Sequence, residues 1–244
     1  MIRIAAVGDV HAGDAPSPEW VAGCARLAAE SDVLLFAGDL TQHGALREAE
    51  ALVAPLKGAG VPVVAILGNH DYNMDQHVAM RRMMEKAGIC VLEGEATTLD
   101  IGGTRVGIAG TKGFGGGFSG ASASAFGEDA MKAFVGVTRR SADLLGECLA
   151  KLSCDIRVAL THYSPARDTL AGEKLEIYPF LGSYLLGAVI DDNNVQLAIH
   201  GHAHKGSERG ITPGGTPVRN VAMPVLNAPF SVYDFGDADD SPAK

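Results

Sequence analysis

The sequence predicts an α/β protein, and three observations carry that prediction. Five short apolar runs rich in β-branched residues recur along the 244 residues, each ending in small polar or charged residues. Helix-like stretches separate the first three runs, which implies parallel pairing of the strands they connect. Beyond residue 90 the texture changes to shorter alternating stretches, which predicts a second, antiparallel-rich sheet.

The first run, residues 2–7, reads as a buried strand that stops at Gly8 and Asp9. Ser17 is placed to cap a helix over 18–31, with Pro18 at its first position, where a missing N–H is tolerated. A strand over 33–36 leads to a second helix over 45–58, whose apolar residues recur at three and four positions and which Gly58 and Gly60 stop. The third strand, 61–67, is followed by a helix over 76–88. Ile101-Gly102-Gly103-Thr104 is a natural hairpin turn. Strands are expected over 156–160 and 195–199, then a turn at Thr212-Pro213-Gly214-Gly215 and further strands within 218–232.

The glycine-heavy stretch 110–118 reads as a loop. It is either a plain surface connection or the lining of a site mouth, with Lys112 or the two Phe residues touching substrate. It is not a phosphate-cradling P-loop, because no Gly-Lys-Ser or Gly-Lys-Thr ends it. No repeat and no dividing linker is visible, so residues 1–244 are expected to form a single domain.

Hydrophobic residues make up 47% and charged residues 20%, which disfavours disorder. Twenty basic against 29 acidic residues give a net charge of −9, and such a surface repels phosphate backbones unless a bound metal reverses the sign locally. Bulk nucleic-acid binding is therefore not expected. No apolar run approaches the ~18 residues of a membrane span. The first seven residues lack the pattern of a secretion signal, so the expected location is the cytoplasm, with no membrane partner. Cys24, Cys90, Cys148 and Cys154 show no paired spacing and read as small buried hydrophobes.

The unusual residues gather where the five runs end: Gly8-Asp9-Val10-His11, Gly38-Asp39, Gly68-Asn69-His70-Asp71, Thr161-His162 and Gly201-His202-Ala203-His204. Each offers a metal ligand or an acid/base group. Parallel strands present ligands outside their carboxyl ends, so five separate pieces of chain are expected to converge on one crevice. Asp-x-His and His-x-His suit a metal because alternate residues of an extended segment direct two side chains to one region. A glycine before a cluster lets the backbone turn sharply beside the ligands. Carboxylate, imidazole and amide oxygen together suit Mn²⁺, Fe²⁺ or Zn²⁺ better than calcium, and the missing thiolates argue against a structural zinc knot. Asp9 and Asp39 also have a plainer reading as helix caps, which leaves His11 and the other clusters unexplained.

In this order, the five motifs resemble the calcineurin-like metallophosphoesterase family over nearly the whole chain, Asp9 to His204. The resemblance implies an αββα sandwich of two mixed β-sheets flanked by helices, with a two-metal centre at the carboxyl ends of the strands. It implies that Asp9, His11 and His204 hold one ion, that Asn69, His162 and His202 hold the other, and that Asp39 bridges them. Two divalent ions are expected, Mn²⁺ first, with Fe²⁺/Fe³⁺ or Zn²⁺ as alternatives. They would share a hydroxide that attacks phosphorus. By the same resemblance, His70 hydrogen-bonds the phosphate or protonates the leaving oxygen, and Asp71 orients His70 and favours its imidazolium.

The family's phosphoprotein phosphatases resemble Gly-Asp-x-Val-Asp-Arg-Gly in the second motif, where this chain has Gly38-Asp39-Leu40-Thr41-Gln42-His43-Gly44, without the arginine. The chain looks more like the bacterial phosphodiesterases, although Gln42 stands where an aspartate is often found. A diester monoanion tolerates the lost clamp better than a monoester dianion, so small phosphodiesters are the expected substrates. A nucleotide pyrophosphatase or nuclease is the alternative within the enzyme class. The alternative outside it is a catalytically silent metal-binding interaction scaffold, which is disfavoured because all seven ligands and His70 are retained. His200 is expected to be buried and structural, and His43 and His77 to lie at the surface or rim. Arg167, Glu173, Tyr178 and Arg219 are polar residues expected near the mouth but read as ordinary surface positions.

Overall fold

The computed structural model of the protein describes residues 1–235. Its strands are β1 (Ile2–Val7), β2 (Val33–Ala37), β3 (Val63–Ile66), β4 (Cys90–Val91), β5 (Glu95–Ile101), β6 (Thr104–Thr111), β7 (Gly117–Phe118), β8 (Ala121–Ser122), β9 (Ile156–Thr161), β10 (Leu197–His200), β11 (Arg209–Ile211), β12 (Pro217–Asn220) and β13 (Ser231–Phe235). Its helices are α1 (Pro18–Cys24), α2 (Leu27–Glu30), α3 (Leu46–Val53), α4 (His77–Lys86), α5 (Asp129–Lys151), α6 (Tyr178–Leu181), α7 (Tyr184–Asp191) and α8 (Met223–Leu226).

Two mixed sheets carry the architecture, in the orders β13-β1-β2-β3-β4 and β11-β12-β10-β9-β6-β5. In the first, β1, β2 and β3 run parallel, with Ile4 opposite Val33 and Leu34 opposite Val63, and β13 closes one edge antiparallel. Successive strand side chains alternate between faces. Thus Val33, Leu35 and Ala37 of β2 meet Ile108, Leu160 and Ile199 of the second sheet in one inter-sheet core. Leu34 and Phe36 turn the other way and pack beneath Trp20, Leu27, Leu52, Met80 and Met84 from the helices. Both faces of β2 are dry, which is why its sequence is a continuous apolar run rather than an alternation. The outer face of the second sheet is covered in the same way, Ala159 and Ala198 lying against Leu145, Leu149, Leu186 and Ile190. The expected αββα sandwich is the result.

Several expectations need correction. The second sheet is antiparallel only at its edges, β5 on β6 and β11 on β12, whereas β6, β9, β10 and β12 are parallel. The helix expected over 18–31 is broken at Ala25–Arg26, where Arg26 N–H bonds back to Gly23 at i−3. The one expected over 45–58 gives way to a 3₁₀ turn, Ala54–Leu56, since Pro55 has no N–H to continue the α pattern. The long helix α5 was not anticipated, although Val135, Thr138, Ala142, Leu145 and Leu149 recur at alternating steps of three and four and are its buried face. All four cysteines are free thiols, but only Cys24 is fully buried. Among the described residues no helix is long and apolar enough to cross a membrane.

The strand ends are what matter for chemistry. β1, β2 and β3 of one sheet and β9 and β10 of the other all finish on the same edge of the sandwich. There the next one to four residues of each supply Asp9, His11, Asp39, Asn69, His162, His202 and His204.

Candidate metal centre

Two groups of donors form at this edge. Donor atoms of Asp9, His11, Asp39 and His204 lie within 4.8 Å of one another, as do those of Asp39, His162 and His202, so Asp39 belongs to both groups. The Asn69 amide oxygen sits 3.0 Å from His162 Nε2 and joins the second group. Asp39 spans the centre: one carboxylate oxygen is 3.3 Å from His162 Nε2 and the other 3.8 Å from His11 Nε2. All seven side chains expected as ligands are brought together.

The backbone is bent to achieve this. Asp9, His11, Asp39 and His202 adopt positive φ, at 54°, 44°, 49° and 70°, a conformation non-glycine residues avoid and which persists only where the surroundings impose it. The glycines of the motifs serve two purposes. Gly38 takes a positive φ of 83° and provides the expected turn. Gly68 and Gly201 do not turn; they make room. A Cβ on Gly68 would run into the carboxylate and backbone nitrogen of Asp39, and one on Gly201 into the carboxylate of Asp9.

Ring orientations are fixed from outside the centre. His162 Nδ1 donates to the Ala37 carbonyl at 2.9 Å, which turns Nε2 towards Asn69 and Asp39. His202 Nε2 donates to the Phe180 carbonyl at 3.1 Å, which leaves Nδ1 free for a ligand bond. Asp9 accepts from His202 N–H at 2.7 Å with one oxygen and lies 2.8 Å from His204 Nε2 with the other. His11 Nε2 and His204 Nε2 approach to 3.5 Å, two ring nitrogens aimed at a common point.

Charge follows the same geometry. Burial alone would raise the Asp39 carboxyl, but attraction to His162 and a hydrogen bond with it hold Asp39 well below the usual carboxylate range. Burial opposes charge on His162, yet the neighbouring Asp39 carboxylate outweighs it and raises His162 to about 9. Burial depresses His202 to about 4 and also lowers His11, whereas the hydrogen bond to Asp9 raises His204. A divalent cation fits this set. Bound there, a cation would take the place of the proton that His162 holds against Asp39 and would give the facing imidazole nitrogens and buried carboxylates a common positive partner. The set is all oxygen and nitrogen, which suits Mn²⁺, iron or Zn²⁺.

His70 stands beside the donors. Its Nδ1 donates to the Gln42 carbonyl at 2.9 Å, Nε2 lies 3.9 Å from Asp39, and its ring meets that of His11 edge-on at 4.5 Å. The expected contact from Asp71 to the His70 ring is not made. Asp71 is fully buried and accepts from the backbone N–H groups of Leu40, Thr41 and Gly68 and from the Thr41 hydroxyl. Burial pushes its carboxyl up to about 6. Asp71 thus ties the second motif to the third, and the Gln42 carbonyl, which no side-chain signal reveals, orients His70.

Gln42, His43, Asn69, His70 and Asn73 line an open cavity of about 360 Å³ at the centre. His43 pairs with Glu48 at 2.8 Å, and His77 stacks on Tyr72 at 4.2 Å. His200 is fully buried, bonded to Thr169 and to the Gly201 carbonyl, as expected. Of the four residues expected near the mouth, Arg167 is exposed, Glu173 accepts from Lys205 N–H, Tyr178 donates to the Leu170 carbonyl, and Arg219 is buried over Tyr233.

A sequence model described as calcineurin-like phosphoesterase matches residues 2–206. No curated protein matches the sequence significantly. Among solved structures, the chain is similar to a phosphopantetheinyl hydrolase from Mycobacterium tuberculosis, at 13% identity and a TM-score of 0.70, covering 98% of each chain. It is also similar to GAP50, the anchor in the inner membrane complex of Plasmodium, at 12% identity and a TM-score of 0.57, covering 91% of this chain and 72% of that one. A candidate 5′-nucleotidase from Staphylococcus aureus matches at 15% identity and a TM-score of 0.55, covering 90% of this chain and 48% of that one. At these identities the likeness is one of fold.

Proposed function

We propose that this chain, which belongs to the calcineurin-like phosphoesterase family, hydrolyses small phosphodiesters at the Asp39-centred site. Metal-dependent phosphoester hydrolysis is the coarser reading that the family and the donor groups support. The observation that carries it is the meeting of seven ligand-type side chains from five strand ends, with His70 Nε2 held at their edge.

Asp9, His11 and His204 would hold one ion, Asn69, His162 and His202 the other, and Asp39 both. When bound, such ions lower the pKa of a shared water and polarise a phosphoryl oxygen. The protein's own residues do the rest. Hydrolysis forms a bond from a water oxygen to phosphorus, breaks the ester P–O bond, and requires a proton on the departing oxygen. His70, with Nδ1–H committed to the Gln42 carbonyl, directs Nε2 at the reacting group and delivers a proton there. Asp71 keeps the loop that bears His70 docked on the loop that bears Asp39.

The cavity wall supports the proposed diester preference. Gln42, His43, Asn69, His70 and Asn73 offer amides and imidazoles and no guanidinium, which suits a monoanion whose remaining ester oxygen is substituted. Mn²⁺ is the first choice of ion, and the cytoplasm the proposed location. The 5′-nucleotidase and phosphopantetheinyl hydrolase neighbours keep nucleotide-like and pantetheine-like esters in the screen.

The test is turnover of bis-p-nitrophenyl phosphate, cyclic nucleotides, a nucleoside 5′-monophosphate, phosphopantetheine and p-nitrophenyl phosphate with Mn²⁺, Fe²⁺ and Zn²⁺ supplied separately. The expected result is metal-dependent turnover with kcat/KM higher for diesters than for the monoesters. A protein that binds both ions and turns over none of these would be a scaffold, and the proposal would fall.

A further inference from the structure

Lys112 is the residue whose environment the reaction has not used. It follows β6 and is fastened to the ligand-bearing end of β9, since its carbonyl accepts from the backbone N–H groups of His162 and Tyr163 at 3.0 and 3.1 Å. Its side chain is half-buried in a box of aromatic faces. The ammonium lies 4.8 Å from the ring centre of Tyr72, 5.6 Å from that of Phe114 and 5.8 Å from that of Tyr163. Two of these rings adjoin residues of the site. Tyr163 packs on the ligand His202 at 4.4 Å between ring centres, and Tyr72 stands two residues after His70.

What this ammonium lacks is an anion. Among the described residues no carboxylate comes within 4 Å of it and no acceptor takes its hydrogens. Glu93 is the nearest candidate in charge terms, but both its oxygens are engaged, one by the Tyr72 hydroxyl at 2.6 Å and the other by Leu67 N–H at 3.2 Å. Burial accordingly lowers the Lys112 pKa, while Glu93 and Asp39 act in the other direction. Even partial desolvation of a cation is costly, and aromatic faces offset only part of that cost. In a chain with net charge −9, an unpaired cation within electrostatic reach of Asp39 needs a purpose.

We infer that Lys112 binds the phosphoryl group of the substrate, its ammonium donating a charge-assisted hydrogen bond to a non-bridging phosphate oxygen from the β6–β9 side of the centre. The inference rests on the phosphoesterase reading of the same site. It also gives the missing arginine of the second motif a counterpart. A single lysine supplies one positive charge as a point donor, which matches a diester monoanion, where a guanidinium fork would grip a dianion from two sides. The aromatic box holds the stem in place, so little rotamer freedom is lost when the phosphate arrives.

The test uses the full chain loaded with Mn²⁺ and compares wild type with Lys112→Met and Lys112→Arg. Methionine keeps the apolar stem between the three rings and removes the charge; arginine restores the charge. Calorimetric titration with orthophosphate measures anion binding without turnover, and kinetics with bis-p-nitrophenyl phosphate measures KM and kcat. Lys112→Met should weaken orthophosphate binding about tenfold to a hundredfold and raise KM by a similar factor, with kcat within a few fold of wild type and metal content unchanged. Lys112→Arg should recover most of the affinity. If Lys112→Met binds orthophosphate as wild type does, the lysine only packs, and the inference is overturned while the hydrolase reading stands. If wild type turns over no ester yet loses phosphate affinity on Lys112→Met, the anion site stands and the hydrolase reading falls.

Discussion

His70 donates from Nδ1 to the carbonyl oxygen of Gln42 at 2.9 Å, and this bond aims its other nitrogen at the carboxylate of Asp39, 3.9 Å away. The orienting group is a backbone atom, so it cannot be mutated away, and the imidazole itself has to be removed. Replacing His70 by Ala should lower kcat by about 10²- to 10⁴-fold, the range for loss of one general acid. Metal content should stay at the wild-type level, because His70 is outside both donor groups. Parallel elemental analysis and steady-state kinetics check this. A variant that loses metal as well as rate would move His70 from acid to ligand.

Asp39 is the side chain that both donor groups share, and its two oxygens face His162 and His11. Asp39→Asn keeps the shape and removes the charge that offsets the bound cations. Both ions should therefore bind at least about tenfold more weakly. Elemental analysis after desalting distinguishes this from loss of one ion alone, which would contradict bridging.

The candidate donors were legible because metal chemistry restricts residue type: Asp9-x-His11 and His202-x-His204 carry weight together with the other three motifs, and the family resemblance is what assigned the set to two ions. The orientation of those ligands was not legible. It depends on the carbonyls of Ala37, Gln42 and Phe180, and every residue carries a carbonyl, so nothing in the sequence distinguishes these three. Asp71 was misread for a related reason. Its place after His70 suggests a carboxylate–imidazole pair, but the 3₁₀ turn His70–Tyr72 directs consecutive side chains apart, and Asp71 points inward to the N–H groups of Leu40, Thr41 and Gly68.

The fold divides along a similar line. Strands dry on both faces, such as β2, stand out as apolar runs. The helix α5 was hidden because its buried face includes Thr138 and Ala142, which dilute the apolar signal. The mixed character of the second sheet rests on crossovers between β6, β9 and β10 that leave no local trace in the sequence.

Gly68 tests whether close approach, rather than flexibility, explains a motif glycine. A Cβ there meets Asp39 backbone as well as its carboxylate, and neither can move without disturbing the centre. Gly68→Ala should destabilise the metal-free protein by about 1–3 kcal/mol, as overpacking does. Gly136→Ala, in the middle of α5 with only the mobile end of Arg140 nearby, should be neutral or stabilising. Urea midpoints of the two variants give the comparison. Equal midpoints would mean that the loop yields to the added methyl group.

Cys24 gives the protein an alkaline weakness away from the centre. It is the last residue of α1, buried in the cluster of Trp20, Leu27 and Phe230, and burial pushes its thiol up from 9.0 to about 11. The folded-state value is raised, so the stabilisation is complete below pH 9 and is lost as pH climbs to about 11, where the unfolded chain alone gains from ionising its thiol. Cys24→Ala removes this titration but not those of the buried tyrosines Tyr72 and Tyr233, which are raised in both proteins and cancel in the difference. Melting temperatures at about pH 8 and about pH 10.5 should therefore fall further for wild type than for Cys24→Ala, even though the variant starts lower for want of the sulfur's packing. Parallel declines would assign the alkaline loss to groups other than this thiol.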